Sequence, residues 1–190
     1  MVKIPTDAQI TRVRQLLDQS LQNLTINDAE IFEVQPFINP HMPASEQDLN
    51  RKLHETTINH RLAYYIERNL NAAERNVYHV DIEFNRNYLQ EKKLWIDSGE
   101  IVARPDIIVH SRLNEAANPQ HFLVIEAKKD VLTDHDIQKI VGFITDNRYN
   151  YLFGFTVSYC AEATHVAGVL NYWDGNAIVS APLSVNRTII

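Results

Sequence analysis

Apolar residues fall into helical spacing from Thr6 to Leu24, where Ile10, Val13, Leu16, Leu17 and Leu21 recur at steps of three and four and Thr6 and Asp7 are available as caps. This predicts a helix. Pro36, Pro40 and Pro43 then interrupt the stretch from Thr25 to Ser45 around a short Ile31-Phe32-Glu33-Val34 segment. Proline at that density blocks a long helix and a central strand, so a linker is expected, with room for one edge strand. Ser45 caps a second, longer helix whose apolar stripe of Leu49, Leu53, Ile58, Leu62 and Ile66 ends near Leu70.

Beyond Leu70 the pattern becomes extended. Strands are expected at Tyr78 to Phe84, Ile101 to Val109 and Phe122 to Ala127, the last a continuous apolar run of the kind covered on both faces. Thr133 and Asp136 have capping-box spacing, with Asp for the usual Glu, and open a helix that should reach about Asn147. Asp134 and Asp136 also suit the positive end of its dipole. Strand-like segments follow at Tyr151 to Tyr159 and His165 to Tyr172, then a turn at Asp174-Gly175 and a short strand near Ile178. The order predicts an α/β (α+β) fold, a mixed central sheet flanked by helices. Residues 1–44 read as an N-terminal helix and proline-rich arm and residues 45–190 as the main domain, or the whole chain as one domain.

With 190 residues, 45% hydrophobic and 22% charged, the chain has the composition of an ordinary globular protein. Its five glycines are too scattered for a phosphate-cradling loop, which excludes Walker-type and dinucleotide fingerprints and leaves no expected organic cofactor. A single cysteine, Cys160, excludes an internal disulfide and fits a reducing compartment. No apolar run is long enough to span a membrane, and the opening MVKIPTDAQITR lacks a signal-peptide core, so a cytoplasmic location without a membrane partner is expected. The 18 basic against 24 acidic residues, a formal charge of −6, speak against a protein that coats phosphates with surface cations.

The most informative chemistry is Arg104-Pro105-Asp106 followed, 20 residues after Asp106, by Glu126-Ala127-Lys128. Residues i and i+2 of a strand share a face, so Glu126 and Lys128 project together, roughly 6–7 Å apart at Cα. Both end an otherwise apolar run, where an unpaired charge is costly and a metal ion is one way to pair it. Pro105 cannot donate a ladder hydrogen bond, and a break there would free Asp106 to turn toward Glu126. The carboxylates of Asp106 and Glu126 with the backbone carbonyl of Ala127 form an all-oxygen half-shell suited to Mg²⁺ (or Mn²⁺), which keeps its other positions for water and phosphate. Lys128 beside it can orient or help deprotonate a water, or neutralise charge growing on a phosphate. Glu55 falls on the apolar stripe by counting back from Leu62 through Ile58 and is expected to point inward. His110 follows the Pro-Asp strand closely enough to contact a phosphate. Asp81 and Glu83 alternate on one strand face that reads as solvent-facing. Competing chemistry is poorly supported: there is no His-Glu-x-x-His, the acids near Asp130 lack the glycine and glutamate of a calcium loop, and Ser111, Ser158 and Cys160 have no neighbouring base.

Pro105-Asp106, then Glu126-x-Lys128, in the order helix, strands, helix, resembles the PD-(D/E)xK nuclease superfamily with its restriction-endonuclease-like fold. The similarity covers roughly Leu49 to Tyr159. It implies a Mg²⁺-dependent nuclease, with DNA favoured over RNA as substrate. Asp106 and Glu126 would be metal ligands, Lys128 would stand at the water or scissile phosphate, and Glu55 would be an auxiliary acid. It further implies a substrate-contacting or supporting polar residue on the next helix, a position that Gln138 or Lys139 fills. A homodimer is the expected assembly, since two-strand cutting often needs two sites and symmetric oligomers are common. The rival expectation is an inactive binding or regulatory module that keeps the fold within a larger complex. The net charge does not exclude a nuclease, because one or two divalent ions restore positive charge where phosphate approaches and nine Lys and Arg lie between Arg51 and Arg104.

Overall fold

Thr6 accepts a hydrogen bond from the Gln9 N–H while the Gln9 side chain accepts from the Thr6 N–H, and this capping box starts α1, Asp7–Asn27. The computed structural model describes residues 2–32, 41, 55–84, 86–87, 90–97, 99–112, 114, 116–159 and 165–186. α1 runs one turn past Leu24 because Leu24 and Thr25 are themselves buried. A 3-10 turn, Ala29–Phe32, follows, so Ile31 and Phe32 are helical and not the start of an edge strand. Spacing of three turns Ala29 and Phe32 to the same side, and both are buried. Glu33, Val34, the Ser45 cap, Leu49 and Leu53 lie outside the described residues.

α2, Glu55–Asn69, buries Ile58, Leu62 and Ile66 as the stripe predicts and Tyr65 besides, and the single turn α3, Ala72–Arg75, leads away from it. Strands β1, His79–Ile82, β2, Arg86–Asn87, β3, Gln90–Glu91, β4, Lys93–Ile96, and β5, Gly99–Val102, come next, followed by β6, Ile107–His110, and β7, His121–Lys128. α4, Asp134–Thr145, crosses over to β8, Phe153–Ser158, and β9, His165–Trp173, and β10, Ile178–Asn186, are the last described elements. The protein is an α/β structure whose six-stranded sheet has the order β1-β6-β7-β8-β9-β10. Only β7 and β8 run parallel, and α4 is the crossover that a parallel pair requires. β2 with β3, and β4 with β5, form separate two-stranded ribbons.

β7 is covered on both faces. Leu123, Ile125 and Ala127 meet a core shared with α1 and α2, while Val124 meets Ile140, Phe143 and Ile144 of α4 and Leu94 of the β4–β5 ribbon. α4 seats so closely that a Cβ on Gly154 would stand 2.4 Å from Cγ2 of Ile140 and 3.0 Å from Cδ1 of Ile144. Gly154→Ala is therefore expected to destabilise the protein by about 1–3 kcal/mol through overpacking, read as a lower urea midpoint. An unchanged midpoint would show that α4 does not sit this close.

Three sequence expectations need correction. The predicted strand Ile101 to Val109 is two strands, because the Ala103 N–H bonds to the Lys92 carbonyl and holds that stretch off the sheet until Ile107. Tyr78 to Phe84 shortens to β1, since Glu83 has φ 48° and leaves the strand, so Asp81 and Glu83 do not share a strand face. The last strand is nine residues long, an edge on which Pro182 is tolerated. Among the described basic residues expected to line a groove, Lys92 is 1% exposed and Arg61 pairs with Asp28 at 2.9 Å, so neither is a free surface cation. The Lys92 ammonium lies 5.2 Å, 5.6 Å and 5.9 Å from the ring centres of Phe84, Tyr151 and Phe143, and 3.3 Å from the Tyr151 hydroxyl. Among the described residues no helix is long and apolar enough to cross a membrane.

Candidate active site

The break before β6 positions the first acid. Ile107 pairs with Ile125, so continuing the register sets Pro105 opposite Ala127. Proline has no N–H to offer the Ala127 carbonyl. In place of a strand carbonyl, the Asp106 carboxylate accepts the Ala127 N–H at 2.8 Å, while the Asp106 backbone carbonyl accepts from Glu83 at 2.9 Å. The Pro-Asp pair thus ends the ladder on one edge of β7 and leaves a carboxylate and a carbonyl beside each other. Burial pushes the Asp106 carboxyl above its usual pKa, more than the Ala127 N–H and the nearby Lys128 and Lys139 lower it.

Glu126 and Lys128 both meet α4, as strand alternation requires. The Glu126 side chain is 1% exposed and its Oε2 accepts from Lys139 Nζ at 2.5 Å. Its Oε1 is buried without a hydrogen-bond partner among the described residues. Burial, with the neighbouring Asp106 adding to it, pushes the Glu126 pKa up to about 7 against the lowering effect of Lys139. A buried carboxylate oxygen without a partner is the kind of acceptor a cation would satisfy.

Lys128 stands 3.9 Å from Oε1 of Glu55 and 3.6 Å from Oδ1 of Asp136. Burial alone would lower its pKa, but Asp106, Asp136, Glu55 and Glu126 together hold it above the ordinary lysine value. Lys128 is thus an ammonium at neutral pH and not a ready base. Glu55 opens α2, is about one-third exposed, and accepts the Lys129 N–H at 2.8 Å, which ties the helix to the end of β7. One helical turn on, Asn59 accepts from the Tyr159 hydroxyl at 2.8 Å and anchors the same helix face to β8's end.

Asp136 was legible only as a helix cap. The capping box with Thr133 is present, and the same carboxylate faces Lys128. Burial would raise its pKa, but the Thr133 hydroxyl and N–H, Lys128 and Lys139 lower it below the usual carboxylate value. Of the two residues expected on this helix, Lys139 reaches Glu126, whereas Gln138 donates to Asp97 of the β4–β5 ribbon at 2.8 Å. The helix turns about 100° per residue, so only one of two neighbours can face the sheet. His110 is not brought to this group. It ends β6 roughly 13 Å of strand away from Asp106, buried, with Nε2 2.8 Å from Oδ2 of Asp81, which Arg112 also engages through both oxygens.

Four carboxylates, Glu55, Asp106, Glu126 and Asp136, thus surround two ammonium groups, Lys128 and Lys139, a formal excess of two negative charges when all are ionised. One divalent cation would balance it. Asp106, the unpartnered oxygen of Glu126 and the Ala127 carbonyl fit a hard ion that takes few protein ligands and keeps its water. A denser metal cage is not present, since no group of three or more His, Cys, Asp or Glu side chains among the described residues is arranged to hold an ion. No protein-family model matches the chain, and no curated protein sequence matches it.

Proposed function

We propose that the chain is a Mg²⁺-dependent nuclease with a restriction-endonuclease-like core, hydrolysing phosphodiester bonds, with DNA favoured over RNA. The observation that carries this reading is the buried, half-satisfied carboxylate of Glu126 at the end of the central strand, close enough to feel the charges of Asp106 and Lys128. Asp106, Glu126 and the Ala127 carbonyl would hold Mg²⁺ (or Mn²⁺), which supplies Lewis-acid polarisation of a phosphate oxygen and a more acidic water. Lys128, kept charged by its acidic neighbours, stabilises negative charge on the phosphate and does not act as the base. Glu55 and Asp136 position Lys128 from two sides. Two-strand cutting would call for a homodimer, and the single cysteine fits action in the cytoplasm.

The second reading, an inactive binding or regulatory module, is favoured by one observation: Lys139 already neutralises Glu126. A cleavage assay on labelled single- and double-stranded DNA and RNA, with Mg²⁺, Mn²⁺ or EDTA, separates the two. Cutting that needs the ion and falls sharply in Lys128→Ala supports the nuclease. No cutting on any substrate with either ion would assign the chain to the module.

A further inference from the structure

We propose that the Lys139 ammonium, on Oε2 of Glu126, is the counter-charge of this site when no metal is bound, and that a divalent ion taking Oε1 displaces it. The inference rests on the nuclease reading, because it takes Glu126 as a metal ligand.

The geometry shows two lysines with different placements. Lys128 lies 3.6 Å and 3.9 Å from two carboxylates, at ordinary ion-pair range and about one-third exposed. Lys139 is in hydrogen-bond contact with the most buried acid of the group, at 2.5 Å, and its own side chain is only 13% exposed. Its charge opposes the burial that raises the Asp106 pKa and adds to the lowering at Asp136. Lys139 therefore supplies one positive charge to a group of four acids that keeps an excess of two negative charges with both lysines counted.

A dication and an ammonium a few ångströms apart repel strongly in a poorly solvated site. Lys139 holds Oε2 of Glu126 and the ion would take Oε1, so each weakens the other's hold on the one carboxylate. The lysine stem has four rotatable carbons and a strongly hydrated head, so Lys139 can swing out toward solvent without moving α4. Incoming phosphate would offer the released ammonium a new partner, so that substrate and metal favour each other's binding. In the metal-free protein, Lys139 keeps Glu126 from standing as an unpaired buried charge.

The test is calorimetric titration of Mn²⁺ into the full chain, comparing the wild type with Lys139→Met and Lys139→Gln over a series of alkaline pH values, with each affinity read where it no longer changes with pH. Removing the competing charge is expected to tighten Mn²⁺ binding about tenfold or more in both variants. Equal or weaker binding in the variants, with Mn²⁺ still binding the wild type, overturns this inference and leaves the nuclease reading standing. No Mn²⁺ binding in any of the three proteins sinks both. A measurement on the unsubstituted protein covers the case of variants that fail to fold. Acetylation of Lys139 by an amine-reactive ester, read by mass spectrometry, should be several-fold faster in Mn²⁺ than in EDTA, and an unchanged or slower rate overturns the proposal.

Discussion

Asp106→Asn is expected to abolish metal-dependent cleavage, by at least about a thousandfold, while leaving the fold intact. Asparagine keeps a side-chain oxygen where Asp106 accepts the Ala127 N–H, so the broken ladder beside Pro105 stays satisfied. What disappears is the charge. Burial already pushes the Asp106 carboxyl above its usual pKa, so a neutral amide should be no less stable there. Asp106→Ala removes both functions: it should lose cleavage to the same degree and also about 1–3 kcal/mol of stability, because the Ala127 N–H is left buried without an acceptor. Cleavage rates and urea unfolding of the two variants, measured in parallel, distinguish a ligand from a structural cap. An Asp106→Asn protein that cuts within tenfold of the wild type would remove Asp106 from the metal site.

The second large effect concerns stability. Burial drives the Lys92 ammonium from its ordinary 10.5 down to about 8, with only Asp81 opposing it. That fall corresponds to roughly 3 kcal/mol of destabilisation whenever Lys92 is charged in both folded and unfolded chains. The folded pKa lies below the unfolded one, so the unfolded chain binds more protons between about pH 8 and 10.5, and this contribution to stability rises with pH across that window. Lys92→Met keeps the length and apolar stem and places a thioether among Phe84, Phe143 and Tyr151. It also leaves the Tyr151 hydroxyl without the Lys92 contact, which offsets part of the gain. The expected result is a variant about 2 kcal/mol more stable at pH 7, with the difference shrinking as pH approaches 10.5. A variant less stable than the wild type at pH 7 would mean that the aromatic rings and Tyr151 repay the desolvation of Lys92 in full.

The central part of this architecture was readable because strand periodicity is short and exact in its geometric consequence. Glu126 and Lys128 had to share a face, and both meet α4. Pro105 had to interrupt a ladder, and the interruption is where Asp106 turns its carboxylate onto β7. Glu55 was placed by counting along a helical stripe, and it does reach the end of β7, although a third of it remains exposed. Sequence proximity misled for His110, because a strand that brings neighbours in sequence also carries them along its length, here to the opposite end of β6. β5 overlaps the strand expected from Ile101, but β4 is not legible, because its outer face carries Trp95, 69% exposed, and Lys93, so the apolar alternation that marks a covered strand is spoiled. The choice between Gln138 and Lys139 needed the facing of α4, which the Thr133–Asp136 cap could have supplied: Asp136 and Lys139 are three residues apart and share a helix face.

The most direct test is anomalous diffraction from crystals of the full chain soaked in Mn²⁺. A peak is expected between the Asp106 carboxylate and Oε1 of Glu126, with the Lys139 ammonium withdrawn from Glu126. Saturating Mn²⁺ with no peak there, or with a peak only beside His110 and Asp81, would contradict it.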